Sequence, residues 1–147
     1  MSMKRILVPV DFSATSAAAV EYAIEFAKAF DAEIDLLHSY QINPGAITPY
    51  GPVLPDALFD SLRAAASEQL EKVHGQVRAA GVEAKTHLSN NVPSYAIVDA
   101  AQELSSDLII MGTRGLTGIK HVFLGSVAER TLRHAPCPVL TVNHPDE

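Results

Sequence analysis

The chain has 147 residues, of which 48% are hydrophobic, and this is enough for one domain with a sizeable core. Its formal net charge of -6 argues against nonspecific binding to nucleic acid or to an anionic membrane surface, although a locally positive pocket could still take a small anion. One cysteine excludes an internal disulfide, and no apolar run approaches the ~20 residues of a membrane-spanning helix. We therefore expect a single domain over residues 1–147, located in the cytoplasm.

The first third of the chain predicts two strands separated by a helix. Ile6–Val10 reads ILVPV without polar alternation, which is typical of a parallel strand that is buried on both faces. Apolar residues then recur at helical spacing after Ser13 and Ser16, and either serine could cap this helix. A second apolar run, Ile34–His38, is interrupted by Asp35 alone and predicts the second strand.

The middle of the chain predicts a long loop, a long helix and a more exposed strand. Gln41–Pro55 contains four prolines and two glycines, so we expect a loop throughout. An amphipathic helix begins at Asp56 and ends at Gly81, with Gly75 as a weak point inside it. Val82–Leu88 alternates only in part, which favours a strand at the edge of a sheet.

The last third predicts two further helices and two further strands. Pro93 suits the first turn of a helix, and Asp107–Met111 is another largely apolar strand. A helix over Ser126–His134 and a strand at Val139–Val142 follow. The order β-α-β-α-β-α-β-α-β predicts one open parallel sheet with helices on both faces.

Ligands of such sheets bind beyond the carboxyl ends of the strands, where the strand order reverses. Three segments meet that description: Pro9–Asp11, His38–Tyr40 and the loop that begins at Gly112. The loop belongs to the stretch MGTRGLTGIKHVFLGSVAER, in which glycines stand at positions 112, 115, 118 and 125. Because the chain has only 8 glycines, this regular spacing makes the stretch the first candidate for a binding loop.

Two common phosphate-binding motifs do not fit this stretch. No glycine in it is followed directly by lysine, as a Walker A loop requires, and the GxGxxG fingerprint is absent. The backbone at Gly112 and Gly115 can nevertheless turn its amides inward, because no Cβ stands in the way. Gly125 and Ser126 open a helix, where free amides and the helix dipole stabilise an anion.

The spacing alone leaves structural alternatives open. Ser126 and Glu129 have the spacing of a capping box, so Ser126 could serve only its own helix. Gly112 could simply end a strand, and the loop could be a mobile connection. Three residues that could add positive charge lie between the two glycine elements: Arg114, Lys120 and His121.

The combination Gly112-x2-Gly115-x9-Gly125-Ser126 resembles the nucleotide-binding signature of the universal stress protein family. The segments MGTRG, TG, LGSVAER and APCPVL are similar to the usual text of that family, as are KRILVPVDFSATS at the first strand and LLHSY at the second. The resemblance covers the whole chain. It implies a five-stranded parallel sheet of order 3-2-1-4-5, Rossmann-like and of the adenine nucleotide alpha hydrolase-like kind, usually as a homodimer. It also implies the subgroup that binds ATP.

The resemblance further implies which residues hold the nucleotide. The residues that border the adenosine would be Pro9, Val10 and Asp11. Among them, Asp11 would reach the ribose or the metal–phosphate region. Ser39 falls where the family places a small apolar residue against adenine. The ribose and the phosphates would be covered by Met111, Gly112, Arg114 and Gly115. The phosphate end would be held by Gly125, Ser126 and Val127.

Other kinds of site have less support. Asp11 could be the phosphoacceptor of a response-regulator-like fold, but it lacks an adjacent acidic partner and a lysine after a late strand. The six histidines include no close pair with the spacing of metal ligands. The GxSxG motif of serine hydrolases is absent, and no Ser-His-Asp set can be assigned. We therefore expect neither catalytic residues nor a set of protein ligands for a metal.

The sequence favours a module that binds ATP with Mg²⁺ and signals in a stress response. A slow ATPase at the same site is the alternative, with Asp11 as the one candidate that could orient the attacking water. The final strand, Val139–Val142, would leave an open sheet edge, and such an edge predicts a symmetric homodimer through this strand. In the alternative arrangement, the tail after Asn143 covers that edge.

Overall fold

The computed structural model describes residues 2–40, 47–48, 51–52, 56–114 and 124–143. The strands are β1 Arg5–Pro9, β2 Glu33–Ser39, β3 Ile47–Thr48, β4 Gly51–Pro52, β5 Ala84–Ser89, β6 Leu108–Gly112 and β7 Val139–Val142. The helices are α1 Ala14–Phe30, α2 Asp56–Ala79, α3 Pro93–Glu103 and α4 Ser126–His134. Across the described ranges, every helix is too short or too polar to cross a membrane.

Five parallel strands form one sheet in the order β5-β2-β1-β6-β7. Counted among these five strands alone, the order is 3-2-1-4-5, which confirms the predicted sheet. β1 lies at the centre and pairs with β2 on one side and with β6 on the other. The edge positions of β5 and β7 are also as predicted.

The segment 41–55, predicted to be a loop throughout, contains a short antiparallel pair. Ile47 of β3 pairs with Pro52 of β4, and Thr48 pairs with Gly51. Isoleucine and threonine are β-branched and favour an extended backbone, but strands of two residues are too short to show a hydrophobic period. The prediction of an unbroken loop is therefore wrong at these four residues. The rest of the segment lies outside the described residues.

Both faces of the sheet are covered, which explains the uninterrupted apolar strands. Ile6 and Val8 point to the face covered by α1 and α2, whereas Leu7 between them points to the face covered by α3 and α4. Ile109 and Ile110 of β6 divide between the two faces in the same way. Successive side chains alternate across a strand, so a strand that is buried on both faces needs apolar residues at every position.

The turn between β1 and α1 is tight, and Ser13, rather than Ser16, caps the helix. Ser13 has an extended backbone (φ −77°, ψ 167°), and its hydroxyl accepts a hydrogen bond from the amide of Ser16 at 3.2 Å. Phe12 adopts a φ of 66°, a value that bulky side chains rarely take. The ring of Phe12 packs against the ring of His38, with centroids 4.5 Å apart. These contacts fix the direction in which α1 leaves the sheet.

Asp35 interrupts the apolar run of β2 because it is the centre of a buried ionic cluster. Its fully buried carboxylate accepts hydrogen bonds from Nη2 of Arg5 at 2.9 Å and from Nε2 of His87 at 2.8 Å. Burial by itself would raise the pKa of this carboxyl. The hydrogen bonds from His87 and Arg5 outweigh that effect and hold the pKa below its ordinary value. The ionised carboxylate thus links β1, β2 and β5.

Candidate functional site

The strand order reverses between β1 and β6, so the crevice at their carboxyl ends is the expected ligand site of this fold. Pro9 is the last residue of β1, and Val10 and Asp11 follow it. Met111 and Gly112 end β6, and Thr113 and Arg114 follow. The topology therefore brings two of the three predicted segments to one crevice. The third, around Ser39, lies at the end of the neighbouring strand β2.

The carboxylate of Asp11 is held at the mouth of this crevice by the start of α1. Its Oδ1 accepts hydrogen bonds from the backbone amide of Ser13 at 3.0 Å and from the Ser13 hydroxyl at 2.5 Å. The backbone amide of Asp11 donates to the hydroxyl of Ser16 at 3.2 Å. Within the described residues, all hydrogen bonds of the carboxylate go through Oδ1. Its Oδ2 can therefore accept a hydrogen bond from a bound molecule.

Pro9 and Val10, the two residues before Asp11, shape the backbone of the crevice at the end of β1. The side chain of Val10 is 5% exposed and packs in the core beneath α1 and α2. Its amide donates to the carbonyl of Leu37 at 2.8 Å, and its carbonyl accepts from Nδ1 of His38 at 2.7 Å. Pro9 is half-buried at the end of the strand. Hence Val10 fixes the backbone at this edge, and Asp11 supplies the polar side chain of this segment.

The hydroxyl of Ser39 is engaged within the protein. It donates to the carbonyl of Asn91 in the connection between β5 and α3. The next amide, that of Tyr40, donates to the carbonyl of Ser89 at 2.9 Å. The polar group of Ser39 is therefore satisfied across the ends of β2 and β5.

Gly112 is required by a contact inside the protein. A Cβ at this position would lie 2.9 Å from both Cβ and Oγ1 of Thr15, which is closer than real Cβ atoms approach. Thr15 itself is fully buried in the first turn of α1. The missing side chain thus makes room for α1, a contact that the spacing of the glycines does not reveal. Met111 is also a core residue, since it is 5% exposed and packs beneath α3 and α4.

The two residues after Gly112 are buried, although they follow the end of a strand. Thr113 is 5% exposed and Arg114 is 9% exposed, so the side chain of Arg114 is far less accessible than expected for a loop residue. The amide of Thr113 donates to the carbonyl of Val142 at 2.9 Å, which attaches this segment to the end of β7. Gly115 and the other predicted loop residues Gly118, Lys120 and His121 lie outside the described residues.

The second glycine element joins the first directly. The amide of Gly125 donates to the carbonyl of Thr113 at 2.6 Å. A Cβ at Gly125 would lie 3.1 Å from that same carbonyl oxygen, so a side chain there would press on the junction. The end of β6 and the start of α4 are therefore in contact, although 10 residues separate Arg114 from Gly125.

The capping-box interpretation of Ser126 is wrong. Gly125 is the N-cap residue of α4, with an extended backbone (φ −69°, ψ 163°), and none of the described side chains caps this helix. Ser126 is the first helical residue, and Val127 packs beside the core under α3 and α4. The carbonyl of Gly125 accepts the first helical hydrogen bond, from Glu129 at 2.9 Å.

Among the described residues, the amides of the first turn of α4 have no hydrogen-bond acceptor. Within the described backbone, the amides of residues 126–128 have no helical acceptor, as at any helix start. These amides and the positive end of the helix dipole favour a bound anion. The geometry of the crevice thus combines a carboxylate oxygen that can accept on the β1 side with anion-binding amides on the α4 side.

Comparison with known proteins identifies the family. A family model described as Universal stress protein family matches residues 3–143. The chain belongs to this family. The universal stress protein MJ0531 of Methanocaldococcus jannaschii is 37% identical over 142 residues, which are 97% of this chain and 83% of that relative.

Solved structures of related proteins share the fold. The structure of MJ0577 from the same organism covers 100% of both chains, with a TM-score of 0.87 and 29% identity. A universal stress protein from Archaeoglobus fulgidus was solved in complex with dAMP. It covers 97% of this chain and 99% of its own, with a TM-score of 0.69 and 26% identity.

The patterns in the sequence of this universal stress protein indicated no role for Thr15. Ser13 was one of the two candidate caps and its hydroxyl donates to Asp11, whereas the hydroxyl of Thr15 makes a second contact, to the carbonyl of Arg114. No local pattern could reveal the second contact, because Thr15 and Arg114 are 99 residues apart.

Proposed function

We propose that this protein binds ATP with Mg²⁺ in the crevice between β1 and β6, and acts as a nucleotide-dependent module in stress signalling. The observation that carries the proposal is the 2.6 Å hydrogen bond from the Gly125 amide to the Thr113 carbonyl. This bond brings the start of α4, whose first amides have no acceptor among the described residues, next to the carboxyl end of β6. The related protein that was solved with dAMP supports an adenine nucleotide as the ligand class.

The two sides of the crevice suit different parts of the nucleotide. Pro9, Asp11 and Ser39 lie where strands β1 and β2 end, and Oδ2 of Asp11 can accept a hydrogen bond from a ribose hydroxyl. The amides of Ser126 and Val127 lie at the positive end of α4 and suit phosphate oxygens. Mg²⁺ in such sites is held largely by phosphate oxygens and water, with one or two carboxylates, and Asp11 supplies the carboxylate among the described residues of the predicted site.

A binding role explains these groups better than a catalytic one. Hydrolysis of ATP needs an oriented water and stabilisation of charge at the γ-phosphate. Asp11 is the only residue of the predicted site that could orient a water, and its Oδ1 is already occupied by Ser13. Slow hydrolysis stays the alternative hypothesis. The cytoplasmic location and the signalling role also stay predictions.

Asp11→Asn tests the nucleotide site. The amide oxygen of asparagine can still accept from Ser13, whereas the amide nitrogen would replace the acceptor Oδ2 by a donor. A lost hydrogen bond to a charged group is worth about 1.5–3 kcal/mol, so we expect ATP to bind about 10- to 100-fold more weakly in calorimetry. Phosphate release measured on both proteins would separate binding from hydrolysis, since only an ATPase shows turnover that the variant loses.

Asp31→Asn is the matched control. Asp31 is the C-cap residue of the same helix α1, at the end of the helix that is far from Asp11. Its φ of 55° is one that asparagine tolerates well. ATP affinity of this variant should equal that of the wild type. Equal affinity of wild type and Asp11→Asn would mean that the nucleotide does not bind beside Asp11.

We further propose that the protein forms a symmetric dimer through β7. This strand is the edge of the sheet, and Val139, Leu140 and Thr141 in it are half-buried. The amides of Ile109 in β6 and of Thr113 just after it donate to the carbonyls of Pro138 and Val142. The amide of Thr141 therefore points away from β6 by strand alternation. That outward amide could pair with the same strand of a second copy.

Thr141→Pro should therefore separate the dimer and spare the sheet, because it removes an outward donor only. We expect wild type to sediment at twice the monomer mass of 15.7 kDa and the variant at that mass itself. Thr141→Val keeps the amide and should stay dimeric. Sedimentation of wild type as a monomer at high protein concentration would rule this interface out.

A further inference from the structure

Two hydroxyl groups at the start of α1 each hold one side of the crevice. The Ser13 hydroxyl donates to Oδ1 of Asp11 at 2.5 Å on the β1 side. The Thr15 hydroxyl donates to the backbone carbonyl of Arg114 on the β6 side. Ser13 is 6% exposed and Thr15 is fully buried, so neither group is positioned to contact a ligand directly. Their oxygens lie 3.2 Å apart.

Each of the two hydroxyls donates its proton to an acceptor outside the Ser13–Thr15 pair. A carboxylate and a backbone carbonyl can only accept, so each must take the single proton of the hydroxyl that contacts it. No proton is then left for the contact between Ser13 Oγ and Thr15 Oγ1. Ser13 Oγ instead accepts from the amide of Ser16 at 3.2 Å. Among the described residues, the Thr15 hydroxyl therefore donates one hydrogen bond, to the carbonyl of Arg114.

Gly112 makes this contact possible. A Cβ at residue 112 would lie 2.9 Å from Cβ and Oγ1 of Thr15. The side chain of Thr15 therefore fills the space that a side chain at residue 112 would need. This close approach lets the hydroxyl reach past the end of β6 to the carbonyl two residues further on. The same segment holds Gly125 through the carbonyl of Thr113. Two hydrogen bonds, one from the Thr15 hydroxyl and one from the Gly125 amide, thus connect α1 to the N-terminus of α4 through residues 113–114.

We propose that Thr15 is a positioning residue for the nucleotide site, which sets the affinity for adenine nucleotides without touching them. This inference rests on the proposed function. Its hydroxyl holds residues 113–114 against α1, so that the amides of α4 keep a fixed place relative to Asp11. Without the hydroxyl, the bound nucleotide itself must order this segment, and the cost of that ordering weakens binding.

Thr15→Val and Thr15→Ser separate the hydroxyl from the packing. Valine keeps the shape and loses the hydroxyl, whereas serine keeps the hydroxyl and loses a methyl group. We expect Thr15→Val to bind ATP about threefold to tenfold more weakly in calorimetry, as the loss of one net hydrogen bond predicts. Thr15→Ser should stay within about twofold of wild type. A purely packing role predicts the opposite order, with valine the better substitute.

A second readout works without nucleotide. The amide of Gly125 depends on the Thr113 carbonyl, so its hydrogen exchange in ligand-free protein reports the position of this segment. We expect faster exchange at Gly125 in Thr15→Val than in Thr15→Ser, while amides in the centre of β1 exchange alike in both. The core of the sheet is thereby an internal control.

The outcomes are distinguishable. If wild type binds ATP and Thr15→Val binds it equally well, the inference is wrong and the proposed function stands. Equal weakening in Thr15→Val and Thr15→Ser would also overturn the inference, since the hydroxyl would not be the cause. If wild type binds no ATP, the proposed function fails. The role of Thr15 in nucleotide affinity then fails with it, and exchange at Gly125 tests only whether the hydroxyl holds residues 113–114, which faster exchange in Thr15→Val would show and unchanged exchange would contradict.

Discussion

Arg5→Met is expected to lower the free energy of unfolding by about 3 kcal/mol, because it leaves the buried charge of Asp35 without its main cation. The guanidinium of Arg5 contacts Oδ2 of Asp35 through both Nη2 and Nε, at 2.9 and 3.2 Å. His87 alone would then face the carboxylate, through Oδ1. Urea unfolding followed by circular dichroism, at one fixed protein concentration, measures the change.

Two further variants test whether the loss of stability in Arg5→Met comes from the buried charge of Asp35. Lys4→Met makes a similar change one residue earlier, where the ion pair with Asp31 is 3.8 Å long and exposed, so no measurable loss is expected. The double variant Arg5→Met/Asp35→Leu removes both charges and should recover much of the lost stability. A stability of Arg5→Met within error of wild type would show that the buried cluster contributes little.

The effect of Arg5→Met should also depend on pH. The pKa of folded Asp35 is lowered because hydrogen bonds from His87 and Arg5 outweigh the effect of burial, so the unfolded chain takes up its proton first as pH falls. The stabilisation is thus fully present above the unfolded pKa of about 4 and is lost as pH falls through the folded pKa. The difference between wild type and Arg5→Met should therefore be largest at neutral pH and shrink in acid. A difference that stays constant down to pH 3 would contradict this explanation.

Gly112→Ala is expected to cost about 2 kcal/mol of stability and to weaken ATP binding. The new methyl group would lie 2.9 Å from Cβ of Thr15 and 3.1 Å from its backbone carbonyl carbon, and a β-branched side chain in the first turn of α1 has little room to move. Either α1 or the end of β6 must shift, and both carry residues of the proposed nucleotide site. Thermal unfolding should show a midpoint about 4–8 °C lower.

Gly75→Ala is the matched control, with an effect of opposite sign. Gly75 lies inside α2, and no heavy atom stands within 4 Å of a Cβ at that position. Alanine should therefore stabilise the helix by about 1 kcal/mol without any contact. If both alanines changed stability in the same direction, the collision with Thr15 would not be the reason that position 112 needs glycine.

The sheet could be predicted because each strand carries its own signal. ILVPV and DLIIM are apolar at nearly every position, and only a strand covered on both faces needs that pattern. The strand order itself came from the resemblance of the glycine spacing, since periodicity does not determine order. The pair β3–β4 was missed because two residues cannot display a period.

Contacts between distant segments explain the other differences. Asp35 stood out as one polar residue in an apolar run, yet its partners lie 30 and 52 residues away, on two other strands. The capping box was wrong for a related reason. Serine and glutamate have the right spacing, but the contact of Gly125 with Thr113 makes the glycine the N-cap and moves Ser126 inside the helix. Local patterns predict elements, and the site depends on how those elements meet.

The central place of β1 has a consequence for how the chain folds during synthesis. β1 pairs early with β2, about 28 residues later in the chain, but its other neighbour β6 begins only at Leu108. On the ribosome, the edge of β1 that pairs with β6 must therefore stay unpaired until roughly three quarters of the chain has emerged. Parallel pairings between distant segments are intrinsically slow to form and leave strand edges exposed to other chains. Aggregation during synthesis should thus be most sensitive to the translation of residues before β6, well before the crevice between β1 and β6 exists.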